Sequence, residues 1–229
     1  MEAVSADRLV NTAGELHARP IANDARVEVL TTSRPAVVLG STQSHELVDF
    51  DRATELGFEV TRRRSGGGVV ILQPHDHAWI DVTVPRDHPL WLDDVERATW
   101  WLGEAWCTAL ASTAGVGKWA VHHDRLAAHG PDRAVCFAAV GPGEVTRDGR
   151  KVVGISQRRT KDAARFQCTV FTEIDLDLHA SLLRMPLPIG LASAVGVGDA
   201  LSTVTERLVS VVRGALVGAG SGDAMTKGR

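Results

Sequence analysis

The chain has 229 residues, 44% of them hydrophobic, which is enough to bury the core of one ordinary domain. Its 25 basic and 28 acidic residues leave a formal net charge of −3, so no global positive field points to nucleic acid or an anionic membrane. The three cysteines lack metal-type spacing, so we predict neither a disulfide framework nor a zinc site.

The N-terminus shows no basic segment followed by an apolar run, and no stretch is long and apolar enough to cross a bilayer. We therefore predict a soluble, cytoplasmic protein. The first element is predicted to be an amphipathic helix over residues 6–18, because Leu9, Val10, Ala13 and Leu16 recur at helical spacing. A short helix is predicted over residues 44–56. Apolar runs bounded by turn residues predict strands over residues 25–30, 36–40, 58–62, 69–72 and 78–85.

The second half begins with a predicted helix that starts at Asp93 and Asp94, which are good N-cap residues, and ends before Gly115. Further strands are predicted over residues 135–140, 143–147, 151–156 and 167–173. A closing helix is predicted over residues 203–217. Helices beside clustered strands indicate an α+β fold with a mixed or antiparallel sheet, in one domain over residues 1–217 with a flexible tail over 218–229.

A loop that combines three arginines with three glycines lies between two predicted strands. Because glycine has no Cβ atom, successive backbone N–H groups there can approach an anionic or carbonyl oxygen, and the arginines bring charge-assisted donors. A flexible hairpin beside a solvated basic run explains the composition equally well, and the spacing of a P-loop is absent. The candidate ligand-binding residues of this glycine loop are Arg62, Arg63, Arg64, Ser65, Gly66, Gly67 and Gly68.

A second candidate segment covers residues 148–157. The pair Asp148-Gly149 is typical of a hairpin turn and would place Lys151 at the start of a β-branched strand. An ammonium group held by a sheet can stabilise the oxygen of a carbonyl or a phosphate. An ordinary exposed strand lysine is the alternative if the segment is considered alone.

The order of these segments resembles the lipoate–protein ligase and octanoyltransferase family. The family's Arg-Arg-x-Ser-Gly-Gly-Gly loop is matched at residues 62–68, and its Gly-x-Lys-x-x-Gly-x-x-Gln strand by Gly149, Lys151, Gly154 and Gln157. The resemblance implies the mixed α+β fold of the biotin/lipoate ligase catalytic domain. It also implies an octanoyl or lipoyl group along the glycine loop, substrate contacts from Gly154 and Gln157, and Lys151 at the acyl carbonyl or activated phosphate.

The two branches of the family activate the acyl group differently. Ligases use ATP to make an acyl-adenylate, whereas transferases take octanoate from acyl carrier protein through a cysteine thioester. Cys136 lies fifteen positions before Lys151 and resembles the nucleophile of the cysteine-dependent octanoyltransferases. Lys151, Arg150 or one of the pair His122 and His123 would favour a thiolate there, and one of these histidines is a candidate base. An inert cysteine buried in a strand is the alternative.

Two departures from the family pattern bear on this choice. The Gln-His-Gly segment of the transferases is replaced by Gln167-Cys168-Thr169. The ligases have a His-Asp pair soon after the glycine loop, whereas here residues 69–74 intervene before His75-Asp76-His77. This segment either restores the pair in shifted form or is a polar hairpin tip, and we predict the tip. The sequence also lacks the additional C-terminal domain of many two-domain ligases. This absence favours transfer, although single-domain ligases with a partner subunit exist in the family.

The resemblance therefore predicts an enzyme that attaches an octanoyl or lipoyl group to a lysine of a lipoyl carrier domain, with Lys151 and Cys136 as catalytic residues. ATP-dependent ligation and non-catalytic binding of a lipoyl group or nucleotide stay open as alternatives. We predict no metal and no tightly bound cofactor, with ATP and Mg²⁺ required only by a ligase. Acyl carrier protein is a further candidate partner, nucleic acid and membrane are not, and a monomer is expected.

Overall fold

The computed structural model describes residues 6–128 and 130–221. Its strands are β1 (Ala6–Asn11), β2 (Arg26–Thr32), β3 (Ala36–Leu39), β4 (Glu59–Arg62), β5 (Val70–Leu72), β6 (His77–Pro85), β7 (Trp119–Val121), β8 (Val145–Arg147), β9 (Arg150–Arg159) and β10 (Ala163–Phe171). Its helices are α1 (Ala13–Ala18), α2 (Phe50–Glu55), α3 (Trp100–Thr113), α4 (Leu176–Leu182), α5 (Ile189–Ala192) and α6 (Leu201–Ser221). Among the described helices, none combines the length and apolar character needed to cross a bilayer.

Within the described residues the strands form two sheets. The larger has seven strands in the order β1-β2-β6-β10-β9-β8-β7, and the smaller has three in the order β4-β3-β5. In the large sheet β1 runs parallel to β2, and the other pairs are antiparallel. In the small sheet β3 is parallel to β4 and antiparallel to β5. The predicted α+β fold with a mixed sheet is therefore confirmed.

The two faces of the large sheet border two separate apolar cores. One face packs against α3 and α6, with Phe166, Trp106 and Leu208 among the buried side chains. The opposite face, together with the small sheet, borders a second core that contains Val37 and Leu39 of β3. Because side chains alternate along a strand, neighbouring residues of β10 belong to different layers. The space between the two sheets holds the candidate site.

The first predicted helix is wrong in its N-terminal half, where residues 6–11 form strand β1. Ala6 pairs with Val27 and the register continues to Asn11 opposite Thr32, so the backbone groups of this edge strand that face β2 are satisfied through the sheet. The helix begins only after Thr12, whose hydroxyl accepts from the Glu15 N–H in a capping box. Apolar spacing alone did not reveal this boundary.

Several other boundaries differ from prediction. Asp49 caps α2, and a separate 3₁₀ turn precedes it, so the short helix predicted over 44–56 is two elements. Asp94 accepts from the N–H groups of Glu96 and Arg97, and α3 begins at Trp100 after a 3₁₀ turn. The last helix continues to Ser221, beyond the predicted boundary at 217, and residues 222–229 of the predicted tail lie outside the described residues.

The strand predicted over residues 135–140 is wrong as well. In the structure Val135 makes a single bridge to Val69, and a 3₁₀ turn over Gly130–Ala134 precedes it. Phe137 has a φ of 77°, a left-handed conformation that an extended strand does not contain. The chain therefore bends sharply directly after Cys136.

Candidate active site

A cavity of about 610 Å³ lies between the glycine loop, the segment over residues 132–144 and the strands β9 and β10. It brings together eight of the eleven predicted site residues. Those in the wall are Arg63, Gly66, Gly67, Gly68, Cys136, Lys151, Gly154 and Gln157. Arg62, Arg64 and Ser65 lie outside the lining. The two candidate segments, which are far apart in the sequence, thus meet at one site.

Arg63 shapes the glycine loop from inside. Its buried guanidinium donates to the carbonyl oxygen of Gly66, at 3.1 Å from Nε and 2.9 Å from Nη2, and to that of Gly68 at 2.9 Å. Burial lowers the pKa of Arg63, and negative charge at Cys136 and Glu144 opposes that shift. The loop itself therefore occupies three of the five N–H donors of Arg63, and the predicted role of Arg63 toward a ligand can draw only on the two N–H groups of Nη1.

The neighbours of Arg63 also serve the loop. Arg62 donates to the carbonyl oxygens of Gly40 and Gln43 at 2.8 and 2.6 Å, and Arg64 is exposed. The hydroxyl of Ser65 lies 3.2 Å from that of Ser156 and donates to the side-chain oxygen of Gln167 at 3.3 Å. These contacts hold the glycine loop against the segment that follows β3 and against strands β9 and β10.

Cys136 is half-buried and lies between the glycine loop and β9. Its backbone N–H donates to the Val69 carbonyl at 2.8 Å, and a Cβ atom at Gly68 would lie 2.7 Å from its nitrogen. A Cβ atom at Gly154 would lie 3.5 Å from the sulfur of Cys136. Glycine at position 68 thus allows the two backbones to approach closely, whereas a Cβ atom at position 154 would touch the sulfur at an ordinary distance and would lie closer, 3.2 Å, to the ring of Phe137. Cys168 differs, because complete burial raises the pKa of its thiol to about 12.

Lys151 is buried, with 5% of its surface exposed, which rules out the alternative of an ordinary exposed strand lysine. Its Nζ lies 2.6 Å from Oε2 of Glu144 and donates to the carbonyl of Ala139 at 2.8 Å. The ring centroid of Phe137 lies 5.1 Å from the same atom. The ammonium is therefore held in the cavity wall by a carboxylate and a carbonyl, beside the bend that carries Cys136.

Polar groups lie behind the inner part of the cavity. Burial lowers the pKa of His17 to about 3, and the positive charges of Arg63 and Arg165 add to this effect. Burial raises the pKa of Asp81 to about 6, although Arg165, 3.6 Å away, favours the charged form. The Gln167 amide lies between them, 3.5 Å from Nδ1 of His17 and 3.3 Å from Oδ1 of Asp81.

A row of residues crosses the floor from the cysteine to an aromatic wall. Gly154 of β9 pairs with Thr169 of β10, and Thr169 pairs with Trp79 of β6. Trp79 donates to Oδ1 of Asp81 at 2.8 Å, and its ring lies 4.4 Å from that of His17. Apolar side chains of the small sheet cover this row. They are Val38, Val70 and Leu72.

The histidines proposed from the sequence as a base are wrong for that role. Neither lines the cavity. His122 makes a 2.9 Å hydrogen bond with the carbonyl of Arg125, and His123 packs against Trp100 with ring centroids 4.6 Å apart. His17 lines the cavity instead, and no motif in the sequence marks it.

The predicted hairpin tip at residues 75–77 is also wrong. This turn leads from β5 in the small sheet to β6 in the large sheet, so it connects two sheets. His77 is buried and its Nδ1 lies 2.8 Å from Oδ1 of Asp76, away from the cavity lining. Arg150 is likewise outside the lining; it is exposed and donates to the carbonyl of Ser193.

Gln157, which lines the cavity, has both amide heavy atoms buried without a hydrogen-bond partner among the described residues. A buried amide of this kind usually has a partner, so the site is suited to a ligand with hydrogen-bonding groups. Two exposed apolar residues, Val95 and Leu126, also line the cavity. Among the described residues, no group of three or more His, Cys, Asp and Glu side chains could hold a metal ion.

Comparisons with known proteins agree with the geometry. A family model, the lipoyl protein ligase A/B catalytic domain, matches residues 14–195. The chain is 28% identical to the octanoyltransferase LipM of Staphylococcus aureus and 26% identical to that of Macrococcus caseolyticus, over 134 residues in each case. These matches cover 57% of this chain and 48% of each relative, so the chain spans about half the length of the curated relatives it matches.

Two solved structures share the fold. Lipoate-protein ligase A bound with ATP superposes with a TM-score of 0.71 at 17% identity, covering 95% of this chain and 86% of that one. A bi-partite lipoate protein ligase from Thermoplasma acidophilum, described with its E2 lipoyl domain, gives 0.68 at 15% identity, covering 95% and 85%. At these identities the similarity establishes the architecture.

Proposed function

Because this chain belongs to the lipoyl protein ligase A/B catalytic domain family, we propose that it transfers an octanoyl group to a lysine of a lipoyl carrier domain through a thioester on Cys136. The observation that carries the proposal is the position of the Cys136 sulfur. It lies beside Gly154, in the same cavity as the glycine loop and Lys151. The matches to octanoyltransferases support the same reaction.

The proposed reaction has two balanced steps. The thiolate of Cys136 attacks the carbonyl carbon of an octanoyl thioester carried by acyl carrier protein, and the bond to the donor sulfur breaks, so that the donor leaves as a thiol after taking a proton. The uncharged amine of the carrier lysine then attacks the Cys136 thioester, an amide forms, and the thiol is regained with the proton that the amine loses. In both steps the ammonium of Lys151 stabilises the oxygen that becomes negative.

The cavity floor supports a medium-length acyl chain. Gly154 and Trp79 are separated by two spacings between adjacent strands, about 10 Å in total. An extended chain of eight carbons spans roughly 9 Å, since its bonds are about 1.5 Å long at nearly tetrahedral angles. An octanoyl group on Cys136 would therefore reach the wall formed by Trp79 and His17.

The distribution of charge favours a thioester donor over ATP. Arg63 donates to two loop carbonyls and Lys151 is paired with Glu144, so these cations are already engaged inside the protein. A thioester needs little positive charge in its resting state, whereas a triphosphate needs several donors. ATP-dependent ligation is nevertheless the second candidate, because the unpartnered amide of Gln157 suits an adenine as well as the amides of a pantetheine arm.

The test is intact mass spectrometry after incubation with octanoyl acyl carrier protein without ATP. We expect one octanoyl adduct on the wild-type chain and none on Cys136→Ala. Cys107→Ala is the matched control and should retain the adduct, because burial raises the pKa of Cys107 to about 11. Absence of the adduct from the wild type, with adenylate formed from ATP and lipoate, would instead support the ligase.

The lipoyl carrier domain and acyl carrier protein are the partners of this proposal. A lipoyl domain is described with the Thermoplasma acidophilum ligase, which supports a carrier of that kind here. The cytoplasmic location and the monomeric state stay predictions.

A further inference from the structure

The carboxylate of Glu144 is a junction between three parts of the site. Its Oε2 lies 2.6 Å from the Lys151 ammonium and accepts from the N–H of Gly141 at 2.7 Å. Its Oε1 accepts from the N–H of Ile155 on β9 at 3.0 Å. The pairing of β8 with β9 ends at Val145 and Val153. Beyond this pair the Glu144 carboxylate accepts from the β9 backbone, where a further residue of β8 would otherwise accept.

The backbone that carries Glu144 is fixed against α3. Gly143 has a φ of 79° and donates to the carbonyl of His122 at 2.7 Å, and a Cβ atom there would lie 2.2 Å from the hydroxyl of Thr99. The same hydroxyl lies 2.6 Å from the carbonyl oxygen of Glu96 and 3.0 Å from that of Pro142, and its single hydrogen is shared between these two acceptors. Only glycine fits this contact without displacement, so Glu144 has little freedom to move away from Lys151.

The contacts of Lys151 leave one donor for a ligand. An ammonium group has three N–H donors, and Glu144 and the carbonyl of Ala139 accept two of them. Gly141, which donates to the same carboxylate, is two residues from Ala139. The carboxylate of Glu144 is therefore itself one acceptor of the Lys151 ammonium. Through its hydrogen bond from Gly141 it also restrains the loop that carries the other acceptor, the carbonyl of Ala139. The third N–H remains for an oxygen inside the cavity.

We propose that Glu144 is a positioning residue that holds the Lys151 ammonium at the acyl carbonyl. Its effect on acyl transfer is exerted entirely through Lys151, and this statement rests on the proposed function above. The carboxylate keeps the lysine paired in the absence of substrate and restricts it to the orientation in which its remaining donor faces the cavity.

The pairing itself is tested without any activity measurement, by labelling lysines with an N-hydroxysuccinimide ester and mapping the products by mass spectrometry. We expect Lys151 of Glu144→Gln to be labelled at least about 5-fold faster than Lys151 of the wild type, because the charge-assisted contact is lost. The exposed lysines Lys118 and Lys161 serve as internal references with unchanged rates. Equal labelling of Lys151 in the two proteins would overturn the proposal.

Kinetics of thioester formation on Cys136 test whether Glu144 acts on acyl transfer only through Lys151. Glu144→Gln should reduce kcat about 100-fold with KM for octanoyl acyl carrier protein changed less than about 3-fold. Lys151→Met and the double variant Glu144→Gln/Lys151→Met should be equally slow within about 2-fold, because the carboxylate has no effect without the lysine. Losses that multiply in the double variant would overturn the proposal.

Thermal unfolding separates a positioning role from a collapse of the fold. If Glu144→Gln does not fold, Glu144→Asp is measured in its place. Aspartate keeps the negative charge but is one methylene shorter, so its carboxylate lies farther from the Lys151 ammonium. That variant should show intermediate labelling and an intermediate kcat, and wild-type values for both would contradict the proposal. If the wild type forms no thioester, the proposed transfer fails, whereas the labelling experiment still decides whether Glu144 holds Lys151.

Discussion

The two faces of the seven-stranded sheet differ sharply in what they bury. Along β10, Phe166 and Cys168 face α3 and α6 in an apolar core, whereas Arg165 and Gln167 lie on the opposite face of the strand. Arg165 and its partner Asp81 are almost fully buried, with 2% and 0% of their surfaces exposed. One side of a single strand is therefore a hydrophobic core and the other is a charged layer beneath the cavity.

The comparison shows which layer stabilises the fold and which serves the site. Apolar burial contributes roughly 25 cal/mol per Å², so the face toward α3 and α6 favours folding directly. Buried charges must first lose their hydration, and an apolar pair of similar size is often as stable or more stable. We infer that the charged layer is retained because it fixes the glycine loop, His17 and Gln167 around the cavity.

The largest expected effect is on activity. Lys151→Met should slow octanoyl transfer about 100- to 1000-fold, because it removes the donor for the developing oxyanion. It should also lower the free energy of unfolding, by about 3 kcal/mol, because Glu144 is left buried and unpaired. Steady-state transfer assays and urea unfolding measure the two effects. Lys118→Met, at an exposed position, is the control and should change neither.

The comparison of the two faces is tested most directly by neighbouring residues on β10. Arg165→Met should lower the free energy of unfolding by about 3–5 kcal/mol, because Asp81 loses its charged partner. Phe166→Leu, on the apolar face, should cost less, about 1–2 kcal/mol, because only part of a buried side chain is lost. Urea unfolding of both variants gives the values. In Asp81→Asn/Arg165→Met most of the loss should be recovered, and a loss as large as that of the single variant would contradict this explanation.

Acid dependence of stability distinguishes two members of the charged layer. The pKa of His17 is about 3 in the folded chain, below its ordinary value of 6.5, so between these values the unfolded chain binds the extra proton. The free energy of unfolding contributed by His17 therefore falls as the pH is lowered from 6.5 toward 3, by at most about 1.4 kcal/mol per pH unit. Asp81 acts oppositely between its ordinary pKa of 3.8 and its folded value of about 6, where the folded chain binds the extra proton.

Substitutions should reveal these opposing slopes. His17→Gln should make the protein less sensitive to acid between about pH 6 and 4, whereas Asp81→Asn should make it more sensitive. Urea unfolding at a series of pH values measures this dependence, and His45→Gln, on an exposed turn, should retain that of the wild type. If the free energy of unfolding varied with pH in the same way in the His17 and Asp81 variants, the opposite pKa shifts assigned to these two groups would be contradicted.

The smallest effect concerns chain length. Trp79→Leu places a smaller side chain at the end of the cavity floor and leaves room for a longer acyl chain. The ratio of dodecanoyl to octanoyl transfer should therefore rise about 10-fold. Trp101→Leu is the matched control on the other face, where the ring packs edge-on against Phe166. It should destabilise the protein without changing the ratio. A ratio that shifts equally in both variants would mean that Trp79 does not limit the chain.

The sequence predicted the parts of the site that local chemistry specifies. The glycine loop, Lys151 and Gly154 were identified because a motif of fixed spacing carries them, and the structure brings them into one cavity. The strand of residues 6–11 was missed because its partner β2 is distant in the sequence, and the bend at Phe137 because its left-handed backbone has no composition signal.

Other site residues depend on tertiary contacts that no motif marks. Glu144 follows Gly141-Pro142-Gly143, a segment that reads as an ordinary turn, and its importance appears only when the loop packs on α3. His17 belongs to a short helix whose apolar spacing suggested nothing catalytic. Its position in the cavity wall depends on the stacking with Trp79, which lies 62 positions further along the chain.

The central claim is that Cys136 carries the acyl group on its way to the carrier. The most direct test is to isolate the octanoylated chain, remove the donor and add a lipoyl domain in the absence of ATP. We expect the octanoyl group to leave Cys136 and to appear on a lysine of the lipoyl domain at the same rate. An adduct that persists on Cys136, with modification of the lipoyl domain only after ATP is added, would contradict it.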